Sequence, residues 1–138
     1  MKRRSQSQRG ASAVEFALVL PLLLFIVFGI IDFGWLFYVD IQVTNAAREG
    51  ARWGAAKEAG SVVSEGEAKA EERLSDYGLS GTASSTCSLT DGLEITLSSP
   101  FTPLVGAAIP FLGNILEVLW PAEIKGKATF SVENGEGC

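Results

Sequence analysis

The 138-residue chain has no histidine, a single methionine and only two cysteines, Cys87 and Cys138. Without histidine it lacks the commonest general base and the commonest metal-ligating side chain. It contains no CxxC pair, no glycine-rich phosphate loop and no carboxylate set at metal spacing, so the usual nucleophile, zinc and nucleotide readings lose their parts. The chain therefore reads as a non-enzyme, with no catalytic residue, no metal and no cofactor expected. Basic charge is also scarce in most of the molecule: Lys2, Arg3, Arg4 and Arg9 stand at the start, and only 7 of the 11 basic residues follow Val39, against 14 of the 16 acidic ones. An acidic body argues against nucleic acid as a partner, and nothing in it marks a small-molecule substrate site.

The hydrophobic fraction of 47% is ordinary for a globular chain, but the apolar residues are unevenly placed. From Phe16 to Val39 one formal charge, Asp32, interrupts an apolar run of 24 residues. At about 1.5 Å per residue such a helix crosses a bilayer of roughly 30 Å. The run is longer than the apolar core of a cleavable secretory signal, about 7–15 residues, and flows into helix-forming sequence, which favours a retained anchor. Positive charge flanking a span stays inside, so the expected topology is single-pass in the cytoplasmic membrane, N-terminus in, with everything after Val39 extracytoplasmic. Thiols oxidise there, and Cys87 and Cys138 are expected to pair with each other, with two free thiols as the alternative. Closing so long a loop would contribute on the order of 4 kcal/mol.

The expected fold class is α+β. Ala11 to about Lys57 reads as one helix, first lipid-facing and then amphipathic, with Pro21 as a point of kinking. Ala46, Gly50 and Gly54, with Ala47, Ala51 and Ala55 beside them, form a small-residue stripe suited to close packing against the chain's own outer domain. A second helix is expected near Glu65 to Tyr77, opened by a Ser64/Glu67 capping box and stopped by Gly78. Val63, Ala70, Leu74 and Tyr77 would form its inner face. Glu67, Lys69, Glu71, Glu72, Arg73 and Asp76 would be solvated, with Glu65 pairing Lys69. Ser84–Leu89 and Leu93–Ser99 flank Thr90-Asp91-Gly92 as a hairpin with Leu93, Ile95 and Leu97 inward. A later strand alternates Ile124, Gly126, Ala128, Phe130 and Val132 against Lys125, Lys127, Thr129, Ser131 and Glu133. Pro100 to Pro121 is apolar but broken by proline and glycine, too broken for a second span, and suits either a cap on the sheet or a contact surface.

The stretch Arg9-Gly10-Ala11-Ser12-Ala13-Val14-Glu15-Phe16 joins a basic leader, a small junction residue and a carboxylate five residues beyond the junction. It resembles the processing site of type IV pilins. Ala13-Val14-Glu15-Phe16-Ala17-Leu18-Val19-Leu20-Pro21, then Gly29-Ile30-Ile31-Asp32-Phe33-Gly34, then Thr44-Asn45-Ala46-Ala47-Arg48-Glu49-Gly50-Ala51-Arg52 are similar to the N-terminal region of TadE-like pseudopilins. The resemblance implies a pilin-like fold and a minor component of the Tad secretion machinery that builds Flp pili. It also implies cutting after Gly10 by a prepilin peptidase, with Ala11 as the new N-terminus and Glu15 and Phe16 as the matched recognition positions, and partnership with other pilin or Tad subunits.

Glu15 has a physical role to match. An ionised carboxylate within hydrocarbon costs on the order of 3 kcal/mol and needs a partner; an α-amino group freed at Ala11 would supply one, setting the register of neighbouring helices. A plain interfacial position for Glu15 is the alternative. Asp32, 17 residues further along the helix, is expected to reach water at the outer interface, and Trp35 and Tyr38 to lie in the outer aromatic belt. The resulting division is a cleaved leader 1–10, a span 11–39, a helix extension 40–60 and an extracytoplasmic α+β domain 61–138. The competing functional reading is an unprocessed, signal-anchored module that binds a ligand or surface partner.

Overall fold

A computed structural model describes residues 5–58, 60–88, 91–108, 118 and 120–132. Helix α1 spans Ser5–Ala55, 51 residues, and α2 spans Val62–Asp76. Strands β1 (Thr82–Ser88) and β2 (Gly92–Pro100) precede the short helix α3 (Leu104–Ala108), and β3 (Glu123–Phe130) follows it. The strands form an antiparallel sheet in the order β1-β2-β3, so the fold is α+β as expected.

Helix α1 begins before Ala11, since Gln6, Gln8 and Arg9 are good helix formers and Gly10 alone does not break the ladder. It also runs through Pro21 as one element. At its far end, Ala56 and Lys57 donate back to Trp53 and Gly54 and the chain reverses into α2.

Helix α2 starts earlier than the sequence signal suggests. Glu65 N–H donates to the Ser61 carbonyl at 2.9 Å, making Ser61 the N-cap, and its hydroxyl donates to Glu58 O rather than to the helix. The expected Ser64/Glu67 capping box does not form: Ser64 Oγ donates to Ser61 O, and Glu67 turns to the sheet. The buried face is accordingly Val62, Gly66, Ala70 and Leu74, while Val63 and Tyr77 are more than a third exposed. The stop is as expected: Gly78, at φ +71°, lets its N–H reach Ser75 O and that of Leu79 reach Leu74 O, the paired closure that a left-handed residue after a helix permits.

The two helices pack antiparallel on small residues. A Cβ added at Gly50 would lie 2.6 Å from both the Ala70 Cβ and the Gly66 carbonyl oxygen, and one at Gly54 would lie 2.6 Å from Val62 O. With Ala46, Ala47 and Ala51 fully buried, the stripe brings the two backbones into direct contact. The sheet covers this helical pair, with Leu93, Ile95 and Leu97 fully buried between the layers. Each of these side chains contributes roughly 1.5–3 kcal/mol by leaving water. Gly92, at φ +82°, opens β2 after Asp91, while Leu89 and Thr90 of the expected hairpin lie outside the described residues.

Strand β3 crosses α1 at Gly126, where a Cβ would meet the Thr44 backbone at 2.8 Å. Its inward set is Ile124, Gly126 and Ala128. The expected alternation breaks at Phe130, the last strand residue, which sits 39% exposed beside Asn45 and Arg48, while Val132 beyond it packs on the core again. Glu133 lies outside the described residues.

Candidate processing junction and membrane helix

The junction residues lie on the part of α1 that no other element covers. Gly10, Ala11, Glu15 and Phe16 are all exposed, and a Cβ at Gly10 would have no heavy atom within 4 Å. Ala11 and Glu15 are four residues apart, hence on one face and about 6 Å apart along the axis. Among the described residues none buries the most apolar stretch of the helix, and α1 is long and apolar enough to cross a membrane. Leu18, Leu22, Phe25, Ile26 and Ile30 project from it with about half or more of their surface free.

Asp32 departs from expectation. It does not reach water but is fully buried, where its Oδ1 accepts a hydrogen bond from the Val105 N–H at 3.0 Å. The first turn of α3 has N–H groups without helical acceptors, and the carboxylate meets one of them. Its Oδ2 and the Trp120 Nε1 are both buried without a hydrogen-bond partner among the described residues. Trp120 lies against Phe33, one residue beyond Asp32, with the rings edge-on and 4.6 Å between centroids. The 100–121 stretch thus serves in two ways: Phe101 and Val105 are buried in the core, while Leu104 and Val118 face outward. Residues 109–117 and 119 lie outside the described set. Sequence alone could not pair Asp32 with a residue 73 positions away; an acid interrupting an apolar run was the one available signal.

Trp35 packs on the core and stacks on Tyr38 with 5.3 Å between centroids, while Tyr38 itself is 40% exposed, so only the tyrosine is freely placed for an aromatic belt. Cys87 is packed against the core, and its expected partner Cys138 lies outside the described residues.

The acidic face of α2 is not merely solvated. Glu71 Oε1 accepts from the Ala83 N–H at 2.9 Å, closing one backbone group on the free edge of β1, and Glu67 Oε1 accepts from Ser85 Oγ at 2.7 Å, tying α2 to the same strand. Lys69 pairs with Glu72 at 2.7 Å rather than with Glu65, whose partner is Lys57 at 3.9 Å. Both lysines lie over the Trp53 ring, at 4.4 Å for Lys57 and 5.6 Å for Lys69, which clamps the end of α1 onto α2. The Asp76 hydrogen bond, and then the charge of Glu49, raise Arg73 above its ordinary value. On the outer sheet face the Ser98 hydroxyl, and then Lys125, hold the Glu123 carboxyl below its ordinary range. Among the described residues no group of three or more His, Cys, Asp or Glu side chains is placed to hold a metal.

These features define a class: an α+β body built onto the C-terminal half of one long apolar helix, whose N-terminal half is uncovered among the described residues. Residues 10–52 match the family model described as TadE-like protein, which bears out at family level the resemblance read from the same residues. The match ends within α1, before α2 and the sheet begin. No curated protein and no solved structure matches the chain.

Proposed function

We propose that this chain is a minor pilin or pseudopilin of the Tad/Flp machinery, cut by a prepilin peptidase between Gly10 and Ala11. The observation that carries the reading is the junction itself: Gly10, Ala11, Glu15 and Phe16 stand exposed on an uncovered helix inside the TadE-like segment, where an enzyme has access from every side. The leader 1–10 stays cytoplasmic, 11–39 spans the cytoplasmic membrane, and 40–60 continues outside into the α+β domain 61–138. The role is structural rather than enzymatic, and Cys87 pairs with Cys138 in the oxidising compartment.

Cleavage removes four basic residues and leaves an α-amino group at Ala11, one helical turn from Glu15. That amine neutralises Glu15 of its own or a neighbouring chain. In hydrocarbon such pairing is worth enough to fix the axial register between packed helices, since the unpaired carboxylate costs on the order of 3 kcal/mol. Other pilin or Tad subunits are the partners that this pairing selects.

Mass spectrometry of membrane-extracted protein co-expressed with a prepilin peptidase tests the cut. The expected mass is that of a chain beginning at Ala11. A chain retaining residues 1–10 under those conditions would reject processing and leave the signal-anchored binding module.

A further inference from the structure

The outer body begins surprisingly low on the helix that carries it. Protein covers α1 from Asp32 onward: Asp32, Val39 and Val43 are buried, and Trp35 and Leu36 pack against the core. Yet the opposite side of the same stretch still exposes Phe33, Phe37 and Ile41, at 52%, 61% and 55%. These three, spaced four apart, continue the uncovered apolar stripe of the span. The covered and uncovered faces therefore overlap from Asp32 to Ile41, about 13 Å of helix axis. Counted from Phe16, a helix crossing roughly 30 Å of hydrocarbon leaves it about 20 residues later, close to Trp35. Asp32 lies short of that point, and the element covering it is α3.

The base of the body is chemically suited to that depth. Between Phe101 and Pro121 the only formal charge is Glu117. Leu104 is 46% exposed and Val118 is 87% exposed, while Trp120 lies against Phe33 with a polar edge and an apolar ring. The far end of the body differs: Asp91 is exposed there, beside the start of β2, whose Leu93 lies close to Gly54 of α1.

We propose that the base of the outer body, α3 with Trp120 behind it, is sunk into the outer leaflet beside α1, so that the chain meets lipid through two elements. This rests on α1 spanning the membrane. Lipid is the occupant because the exposed face of α3 lies level with the apolar stripe of α1 and carries no charge. Asp32 then has a reason to be shielded: α3 covers a carboxylate that would otherwise meet acyl chains, and supplies one peptide N–H to it. A body held at the interface by two contacts cannot swivel freely about α1, which fixes the face it presents outward.

Single-tryptophan probes in the full chain, reconstituted into vesicles of bromine-labelled phosphatidylcholine, test this. With Trp35, Trp53 and Trp120 replaced by Phe, tryptophan is introduced as Leu22→Trp, Leu104→Trp or Asp91→Trp. Leu22→Trp and Leu104→Trp should each lose roughly half their fluorescence to acyl-chain bromine, as expected for side chains at or below an interfacial depth of about 5–10 Å, and Asp91→Trp should lose almost none. Trp120 retained as the sole native tryptophan reports the same base without an added side chain, and should be quenched with a blue-shifted maximum. If Leu22→Trp is quenched while Leu104→Trp and Trp120 behave like Asp91→Trp, the sunken base is overturned and the span stands. An unquenched Leu22→Trp overturns the span, and the sunken base with it.

Discussion

The inner and outer halves of α1 are continuous in backbone yet obey different rules. Upstream of Asp32 the helix is apolar nearly all round and none of its residues is buried by the described residues; downstream, one side is lined with Val39, Val43, Ala46, Ala47 and Ala51 and disappears under α2 and the sheet. Glycine makes the contrast sharpest. At Gly29 a Cβ would meet nothing within 4 Å, whereas at Gly50 and Gly54 it would strike backbone or side-chain atoms of the body. The same residue type is incidental in one half and required in the other, because only in the outer half is a second backbone close enough to exclude a methyl group. Among the described residues the inner half has no packing partner, whereas the outer half has its partners already.

Three experiments press on this division. The largest effect is expected at Glu15. Glu15→Val makes the span more apolar, so membrane insertion and the thermal stability of the outer body should be unchanged, while incorporation into the assembly, read by co-purification with machinery components, should be lost. Normal assembly of the variant would remove the registry role from the inner half.

A pair of identical substitutions comes next. Gly50→Ala should destabilise the outer body by about 1–3 kcal/mol, since the clashing atoms at Gly66 O and the Ala70 backbone cannot swing away. Gly29→Ala should stay within about 0.5 kcal/mol, as substitutions away from packed features do. Thermal unfolding of the detergent-solubilised chain, followed by near-ultraviolet circular dichroism, reads both. Equal effects at the two sites would mean that the helices do not pack as described.

The smallest effect concerns pH and is confined to the outer body. The folded state holds Glu123 below its ordinary range through Ser98 and Lys125, so the unfolded chain takes up a proton there first as pH falls. Its contribution is complete above the unfolded value and fades as pH drops through the folded one. Denaturant midpoints measured from about pH 6 to about pH 3 should fall slightly less steeply for Glu123→Gln than for the parent chain. An identical acid limb would show that the exposed cluster contributes nothing to stability.

Much of this protein was legible in local pattern. The membrane-length run, the hairpin with Leu93, Ile95 and Leu97 inward, the Gly78 stop and the small-residue stripe all follow from period, length and residue size, quantities that a few consecutive residues carry. Where the reading slipped, several choices were locally equivalent. Ser61 and Ser64 are both competent helix caps, and the winner was settled by how the chain leaves α1, since Val62 and Gly66 had to face Gly54 and Gly50. That choice turned Val63 and Tyr77 outward and left Glu71 to meet the edge N–H of Ala83 and Glu67 to meet the Ser85 hydroxyl. Asp32 is the extreme case. Its sequence neighbours are all apolar, and its partner Val105 arrives only because β2 runs back down along α1 and delivers α3 to that level. Sequence by itself determined the membrane-length apolar helix, the small-residue seam and the elements that flank it, because these depend on periodicity and chain length. The tertiary structure decided which carboxylates find donors and how low the body sits on its helix, because both depend on contacts between segments far apart in the chain.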